Sequence, residues 1–210
     1  MKYTALIVTF NRLGKLKKTV EETLKLEFTN IVIVNNGSTD GTQAWLSSIV
    51  DTRVIVLTLT ENTGGAGGFK TGSQYICEQL ASDWVFFYDD DAYPYPDTLK
   101  SFSQLDKRGC RVFSGLVKDP QGKPCPMNMP FSRVPTSLGD TVRYLRYPGE
   151  FIPAANRSMF VQTVSFVGMV IHRDLLATSL DYIREQLFIY LKFILRGISH
   201  GIKGISGKYH

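Results

Sequence analysis

The sequence predicts an α/β domain, with a mostly parallel central sheet flanked by helices. Two observations lead there. Short apolar, β-rich runs alternate with segments whose apolar residues recur at helical spacing. The runs are also unbroken by polar residues, which suits parallel strands covered on both faces. The chain has 210 residues, 43% hydrophobic and 20% charged. That is enough for one domain with a sizeable core.

Residues 5–10 form the first predicted strand. Residues 13–26 follow as a helix, with Leu13, Leu16, Val20 and Leu24 on one face. Residues 31–34 are four apolar residues without a gap and form the second strand; 42–49 read as a short helix. The third strand is 54–59, the third helix 67–80, and the fourth strand 84–88, running into Asp89. Such alternation winds a parallel sheet through right-handed crossovers. After Pro96 the pattern thins. A helix over 97–105 has Asp97 at its N-cap, 112–117 reads as a strand, and 118–128, with three prolines, reads as loop. Residues 161–172 read as one strand with Gly168 inside it. No repeat, low-complexity segment or linker divides the chain.

Cys77, Cys110 and Cys125 form no CxxC pair. An odd, unpaired set argues against a disulfide framework or a structural zinc site and points to a reducing, cytoplasmic compartment. The first ten residues run straight into a strand, without the regions of a signal peptide. Net charge is +5, and residues 184–210 hold five Lys or Arg against one Glu. Within them, 187–198 is apolar, broken by Lys192 and Arg196 on one helix face, and Lys203 and Lys208 follow. A basic, apolar tail suits a membrane interface or an anionic partner rather than nucleic acid. The alternative is a core helix whose cations reach solvent. No apolar run reaches the ~18 residues of a membrane span.

Ligands of parallel α/β sheets bind beyond the carboxyl ends of the strands. The polar residues of this chain collect there. Strand one ends in Thr9-Phe10-Asn11-Arg12, and strand two in Asn35-Asn36-Gly37-Ser38-Thr39-Asp40-Gly41-Thr42. Strand three leads into Glu61-Asn62-Thr63-Gly64-Gly65-Ala66-Gly67-Gly68-Phe69, and strand four ends in Asp89-Asp90-Asp91. Each segment alone also reads as a turn or a helix cap. Four in succession at one edge specify a site. Three adjacent carboxylates repel unless a cation neutralises them. In an extended chain Asp89 and Asp91 point the same way and can share one Mg²⁺ or Mn²⁺ that also bridges a diphosphate. The glycines of 64–68 let backbone approach a ligand, and the helix behind them offers N–H groups to phosphate. No GxGxxG dinucleotide fingerprint and no GxxxxGK[ST] loop is present. Tyr93 and Tyr95 read as packing or loop residues.

In this order, VTFNR, VNNGSTDGT, NTGGAGGF and YDDDAYP resemble the family-2 glycosyltransferases, inverting enzymes of the GT-A fold. The resemblance covers residues 3–92 closely and 163–196 loosely. It looks nearest to the bacterial branch containing rhamnosyltransferases and galactofuranosyltransferases. It implies one catalytic domain, with 1–96 as the nucleotide-sugar and metal half and 97–210 as the acceptor half with a short tail. Thr9, Phe10, Asn11 and Arg12 would line the base and diphosphate pocket. Asn35 stands where the family usually has an Asp that reads uracil or ribose, with Asn36 beside it. Asp40 and Asn62 would shape the nucleotide pocket, and Gly64, Gly65 and Gly68 would approach the donor sugar and phosphates. Asp89 and Asp90 would meet the donor, and Asp89 and Asp91 would hold Mn²⁺ or Mg²⁺, with His210 near a family histidine that joins the metal.

One departure matters. The family follows "FIY" with an acidic pair that supplies the general base. Here Phe188-Ile189-Tyr190 runs at once into Leu191-Lys192-Phe193-Ile194-Leu195-Arg196. The pair is missing, as in a chain truncated or internally deleted near its C-terminus. Asp181 and Glu185 are the nearby acidic substitutes; the alternative for both is a solvated helix face. The resemblance implies metal-dependent transfer, with inversion, from a UDP- or dTDP-linked sugar to a glycan or lipid-linked acceptor in bacterial cell-surface polysaccharide synthesis. The work would be done in the cytoplasm at the inner membrane face. The alternative is a nucleotide-sugar-binding protein impaired by loss of the base. A nucleotidyltransferase would need a Gly-rich basic loop after strand one, and Leu13-Gly14-Lys15 is too thin for that.

Overall fold

The computed structural model describes residues 1–152, 159–185 and 197–206. Its first half follows the alternation. Strands β1 (Tyr3–Thr9), β2 (Asn30–Asn35), β3 (Val54–Thr58) and β4 (Trp84–Asp89) are joined by helices α1 (Leu13–Leu24), α2 (Thr42–Leu46) and α3 (Gly64–Gln79). These strands pair in parallel, in the order β3-β2-β1-β4.

The unbroken apolar runs have a direct cause in the period of two along a strand. Ala5 and Ile7 of β1 join one core with Ile31, Ile33, Phe86 and Tyr88. Leu6 and Val8 join the other, with Val32, Val34, Val85 and Phe87. Leu16 and Val20 of α1 cover the first face; Phe69 and Ile76 of α3 cover the second. Every residue of β1 is buried.

Beyond β4 the sheet becomes mixed. β5 (Tyr93–Pro94), α4 (Thr98–Gln104), β6 (Val112–Lys118), α5 (Leu138–Arg146), β7 (Met159–Val161), β8 (Met169–His172), α6 (Arg173–Glu185) and β9 (Gly197–Ser206) follow. Among the described residues the sheet has nine strands, ordered β3-β2-β1-β4-β8-β6-β9-β5, with β7 on β9. β8 lies antiparallel between β4 and β6.

Four expectations change here. The single strand over 161–172 is replaced by the end of β7 at Val161 and by β8 from Met169; Gly168, at φ +87°, stands outside extended backbone just before β8. Asp97 does precede α4, but its side chain makes no capping hydrogen bond. Helix α5 stands where the apolar pattern announces no element. In the tail, Gly197–Ser206 is a strand, so Ile198, at the end of the expected apolar helix, lies in the sheet, as does Lys203 beyond it. Residues 187–196, with Lys192 and Arg196, and Lys208 lie outside the described residues.

Candidate functional site

The strand ends that carry polar residues come level because the register is continuous. Thr9 pairs with Asn35, Asn35 with Thr58, and Val8 with Asp89. The four segments singled out in the sequence therefore share one edge of the sheet.

At that edge β4 leaves the core. Asp90 and Asp91 sit in a turn closed by the Ala92 amide donating to the Asp89 carbonyl at 3.3 Å. The extended geometry expected to point Asp89 and Asp91 the same way is replaced by this turn. Asp90 and Asp91 are buried, each 4% exposed. The Thr9 hydroxyl donates to Asp90 Oδ2 at 2.8 Å, and the Thr19 hydroxyl donates to the Asp90 carbonyl at 2.8 Å. Arg12 Nη1 donates to Asp91 Oδ2 at 3.0 Å and lies 3.5 Å from Asp90 Oδ1. Lys15 Nζ lies 3.5 Å from Asp91 Oδ2. The repulsion among the carboxylates is thus met first by cations of α1 and its N-cap. Burial raises the Asp90 carboxyl above its ordinary range. The Thr9 hydroxyl and Arg12 pull the other way, and Asp91 adds to the rise.

A divalent ion is implied by the resemblance, and the residues fit one. Asp91 Oδ1 is buried and accepts no hydrogen bond among the described residues, an arrangement that is costly unless a ligand answers it. Among the described residues no three His, Cys, Asp or Glu side chains cluster as a complete cage. The resemblance gives the ion to Asp89 and Asp91, which would hold it together with water and ligand phosphates, as Mg²⁺ is commonly held. His210 lies outside the described residues.

The two asparagines at the end of β2 are buried and engaged. Asn35 Nδ2 donates to Gln43 Oε1 at 2.8 Å, and its Oδ1 accepts from the Ser38 amide at 3.1 Å. Asn36 Nδ2 donates to Asn62 Oδ1 at 2.9 Å and to the Gly64 carbonyl at 3.0 Å. Its Oδ1 accepts from the Thr63 amide and hydroxyl, each at 3.0 Å. Both Asn36 amide protons and both acceptor directions are then in use. Its geometry is that of a clamp between β2 and the start of α3, rather than that of a side chain presented to a base.

Asp40 is exposed and bridges two helices. One oxygen accepts from the Leu13 amide at the start of α1 at 3.1 Å; the other accepts from the Thr42 amide and hydroxyl at 3.2 and 2.6 Å. The Thr42 hydroxyl is the main reason its carboxyl is held below the ordinary range. Asn11, at φ +52°, accepts from the Thr39 amide at 2.7 Å and so ties the first loop to the second. Phe10 is 38% exposed beside them.

The glycine run separates into two roles. Gly64 and Gly65 are exposed at the first turn of α3 and have open space around the position of a Cβ. Asn62 Oδ1 caps this turn through the Gly64 amide at 2.8 Å. Gly68 is buried, and a Cβ there would stand 2.5 Å from Val8 Cγ1. Helix–sheet contact is enough to account for a glycine at this position. Asp181 and Glu185 lie in the last turns of α6.

Lys15, Thr19 and Gln43 were missed. Arg12, Lys15 and Thr19 fall at i, i+3 and i+7, one helical face, and that spacing was legible. Gln43 accepts from Asn35 and from the Thr58 hydroxyl at 2.6 Å; no local pattern announces it. A groove of about 780 Å³ opens at the opposite sheet edge, beside Lys2, Asp83, His172 and Arg173, away from the acidic turn.

Comparison with known proteins agrees with this architecture. No curated protein sequence matches the chain significantly. The crystal structure of S. aureus TarS 1–349 is similar at TM-score 0.66 and 20% identity, over 99% of this chain and 60% of that one. TarS 1–349 in complex with UDP-GlcNAc gives TM-score 0.65 and 17% identity, over 100% and 59%. The chain thus spans about 60% of the length of this solved relative. At such identity the likeness shows the fold, which is GT-A. Residues 4–164 match the family model described as glycosyl transferase family 2, which covers most of the chain, and the protein belongs to that family.

Proposed function

We propose that this chain transfers a sugar, with inversion, from a nucleoside-diphosphate donor to a hydroxyl of a glycan or lipid-linked acceptor. The observation that carries the reading is the shared edge at Thr9, Asn35, Thr58 and Asp89, where Asp91 keeps a buried acceptor atom without a partner among the described residues. The acceptor oxygen forms its bond to the anomeric carbon as the bond to the diphosphate breaks. The acceptor proton passes to a carboxylate base, for which Asp181 and Glu185 are the candidates on this chain. A divalent ion held by Asp89 and Asp91 would neutralise charge on the leaving diphosphate. Arg12 and Lys15 supply positive charge beside it, and the exposed first turn of α3 gives phosphates a close approach. TarS has been solved with UDP-GlcNAc, which supports a uridine nucleotide sugar as the first donor to try. The four motifs favour a rhamnosyl- or galactofuranosyl-type sugar and a role in bacterial surface polysaccharide synthesis at the cytoplasmic membrane face.

The test is calorimetry of UDP and dTDP with and without Mn²⁺. Binding should depend on the metal and weaken roughly tenfold in Asp91→Ala, about 1.4 kcal/mol. Undiminished metal-dependent binding in that variant would overturn the assignment. A second reading rests on the absent acidic pair after Tyr190: a nucleotide-sugar-binding protein without transfer. Donor binding, hydrolysis and transfer measured together separate the two. Full-rate transfer retained in both Asp181→Asn and Glu185→Gln places the base elsewhere.

A further inference from the structure

We propose that α5 docks the protein onto an anionic lipid bilayer, lying in its surface. The inference rests on the reading above only for its use, bringing the site to a lipid-linked acceptor.

Helix α5 does not hold itself to the protein by its apolar row. None of its residues is buried. Leu138, Val142 and Leu145 are 87%, 66% and 75% exposed. At 3.6 residues per turn they fall within an arc of about 60°. A surface helix ordinarily turns such a stripe inward. Here the inward contact is Tyr144, on the other side of the helix, whose ring lies 5.4 Å from Phe131 and 5.7 Å from Phe151. The helix is stabilised locally instead: Ser137 Oγ accepts from the Asp140 amide at 3.0 Å, and Arg143 and Arg146 stand in the last turn, the favoured end for cations.

What surrounds the row selects the occupant. Arg146 borders it, about 40° from Val142 at helical spacing, and has no carboxylate partner among the described residues. Tyr147, half-exposed, follows with its ring 5.5 Å from the Arg146 guanidinium. Arg133 and Arg143 are paired, with Asp140 and Glu150, yet their side chains stay 53% and 57% exposed. Three arginines therefore face two carboxylates. A short apolar row bordered by cations and a tyrosine matches the boundary between acyl chains and anionic headgroups. The row would enter the acyl region while the arginines meet lipid phosphates.

The experiment is co-sedimentation of the full chain with phosphatidylcholine vesicles of rising phosphatidylglycerol content. Binding should grow with anionic lipid and weaken with salt. Replacing Leu138, Val142 and Leu145 together by Ser should weaken it roughly tenfold, and Arg146→Ser roughly fivefold. Both variants should bind UDP with Mn²⁺ as the parent does, which also reports that they fold. A chain that stays in the supernatant at every lipid ratio overturns the proposal. So does a triple variant that binds like the parent, or an Arg146→Ser variant that loses nothing. Loss confined to neutralised Lys203 and Lys208 would make the tail the contact instead. A dimer in sedimentation velocity that the triple variant dissociates would give the row to a second copy of the chain. Failure of the parent to bind any nucleotide would count against the transferase reading and leave vesicle binding to be scored on its own.

Discussion

Helices α3 and α5 face the rest of the molecule in opposite senses. α3 opens on a run of glycines, yet it is seated against the sheet, burying Gly68, Phe69, Gly72, Ser73 and Ile76. α5 carries a compact apolar row, buries no residue fully and touches the protein through Tyr144. The difference lies in how near the backbone comes. Gly68 and Gly72, four residues apart, present no side chain to Val8 and Leu6 of β1, so α3 settles directly on the strand. Their ends differ as well. α3 is tied down by Asn36 and Asn62 from neighbouring loops, whereas α5 is capped by its own Ser137. A pattern of apolar residues thus reports that a helix is amphipathic, and the surrounding surface decides which way it turns.

The largest effect should come from filling the α3 interface. A Cβ at Gly72 would meet Leu6 Cδ1 at 2.3 Å and Val34 Cγ2 at 3.0 Å. Gly72→Val should cost about 1–3 kcal/mol by overpacking, a drop of roughly 2–4 °C in Tm per kcal/mol for a chain this size. Gly68→Val should behave alike, so loss of nucleotide binding there reports damaged packing. Gly65→Val has open space and reads the site itself. A Gly72→Val melt that coincides with the parent would mean that α3 is not seated as described.

Next in size is the clamp that holds the start of α3. Asn36→Ala takes a partner from the Thr63 amide and the Gly64 carbonyl, both reachable by water, at about 0.5–1.5 kcal/mol. Urea unfolding gives the loss, and faster hydrogen exchange at Thr63 would locate it. Unchanged exchange there would place the clamp's role elsewhere.

A smaller, pH-dependent effect belongs to Asp90. Burial raises its carboxyl in the folded state, so the folded chain keeps a proton that the unfolded chain has released. Its contribution to stability is full below the ordinary aspartate value of about 3.9 and fades as pH rises through the raised value. Unfolding curves from pH 4 to 8 should show the parent losing stability across that window and Asp90→Asn losing less. Parallel profiles would remove Asp90 as the source.

The smallest effect should come from α5. Leu145→Ser should change stability by no more than about 0.5 kcal/mol, as expected for an exposed position. A loss of about 2 kcal/mol or more would show the row covered in solution, and the contrast with α3 would fall.

Much of the site was legible because it lies where strands end, and strands announce themselves by local pattern. The breaks between apolar runs and polar segments single out Thr9, Arg12, Asn35, Asp40, Asn62 and Asp89–Asp91, and the fold gathers them at one sheet edge. What each does was less legible. Asn36 and Gly68 read as groups presented to a ligand, and in the fold they also join elements, Asn36 holding the start of α3 and Gly68 packing on Val8. Thr9 and Asp90 are 81 positions apart, and no local spacing pairs them. Gln43 sits on a five-residue helix, too short to show a face.

By itself the sequence determined the α/β alternation, the burial of both sheet faces, the edge at which polar residues collect and the resemblance to family-2 glycosyltransferases. These depend on periods of two and 3.6 residues and on contiguous motifs, which are local properties of the chain. Only the tertiary structure decided that β8 enters antiparallel between β4 and β6 and that Asp90 and Asp91 turn back onto Thr9, Arg12 and Lys15. It also decided that Asn36 holds α3 and that α5 turns its apolar row outward. Those outcomes depend on which surfaces remain uncovered once distant segments have paired, and that is settled by register and packing across the whole fold.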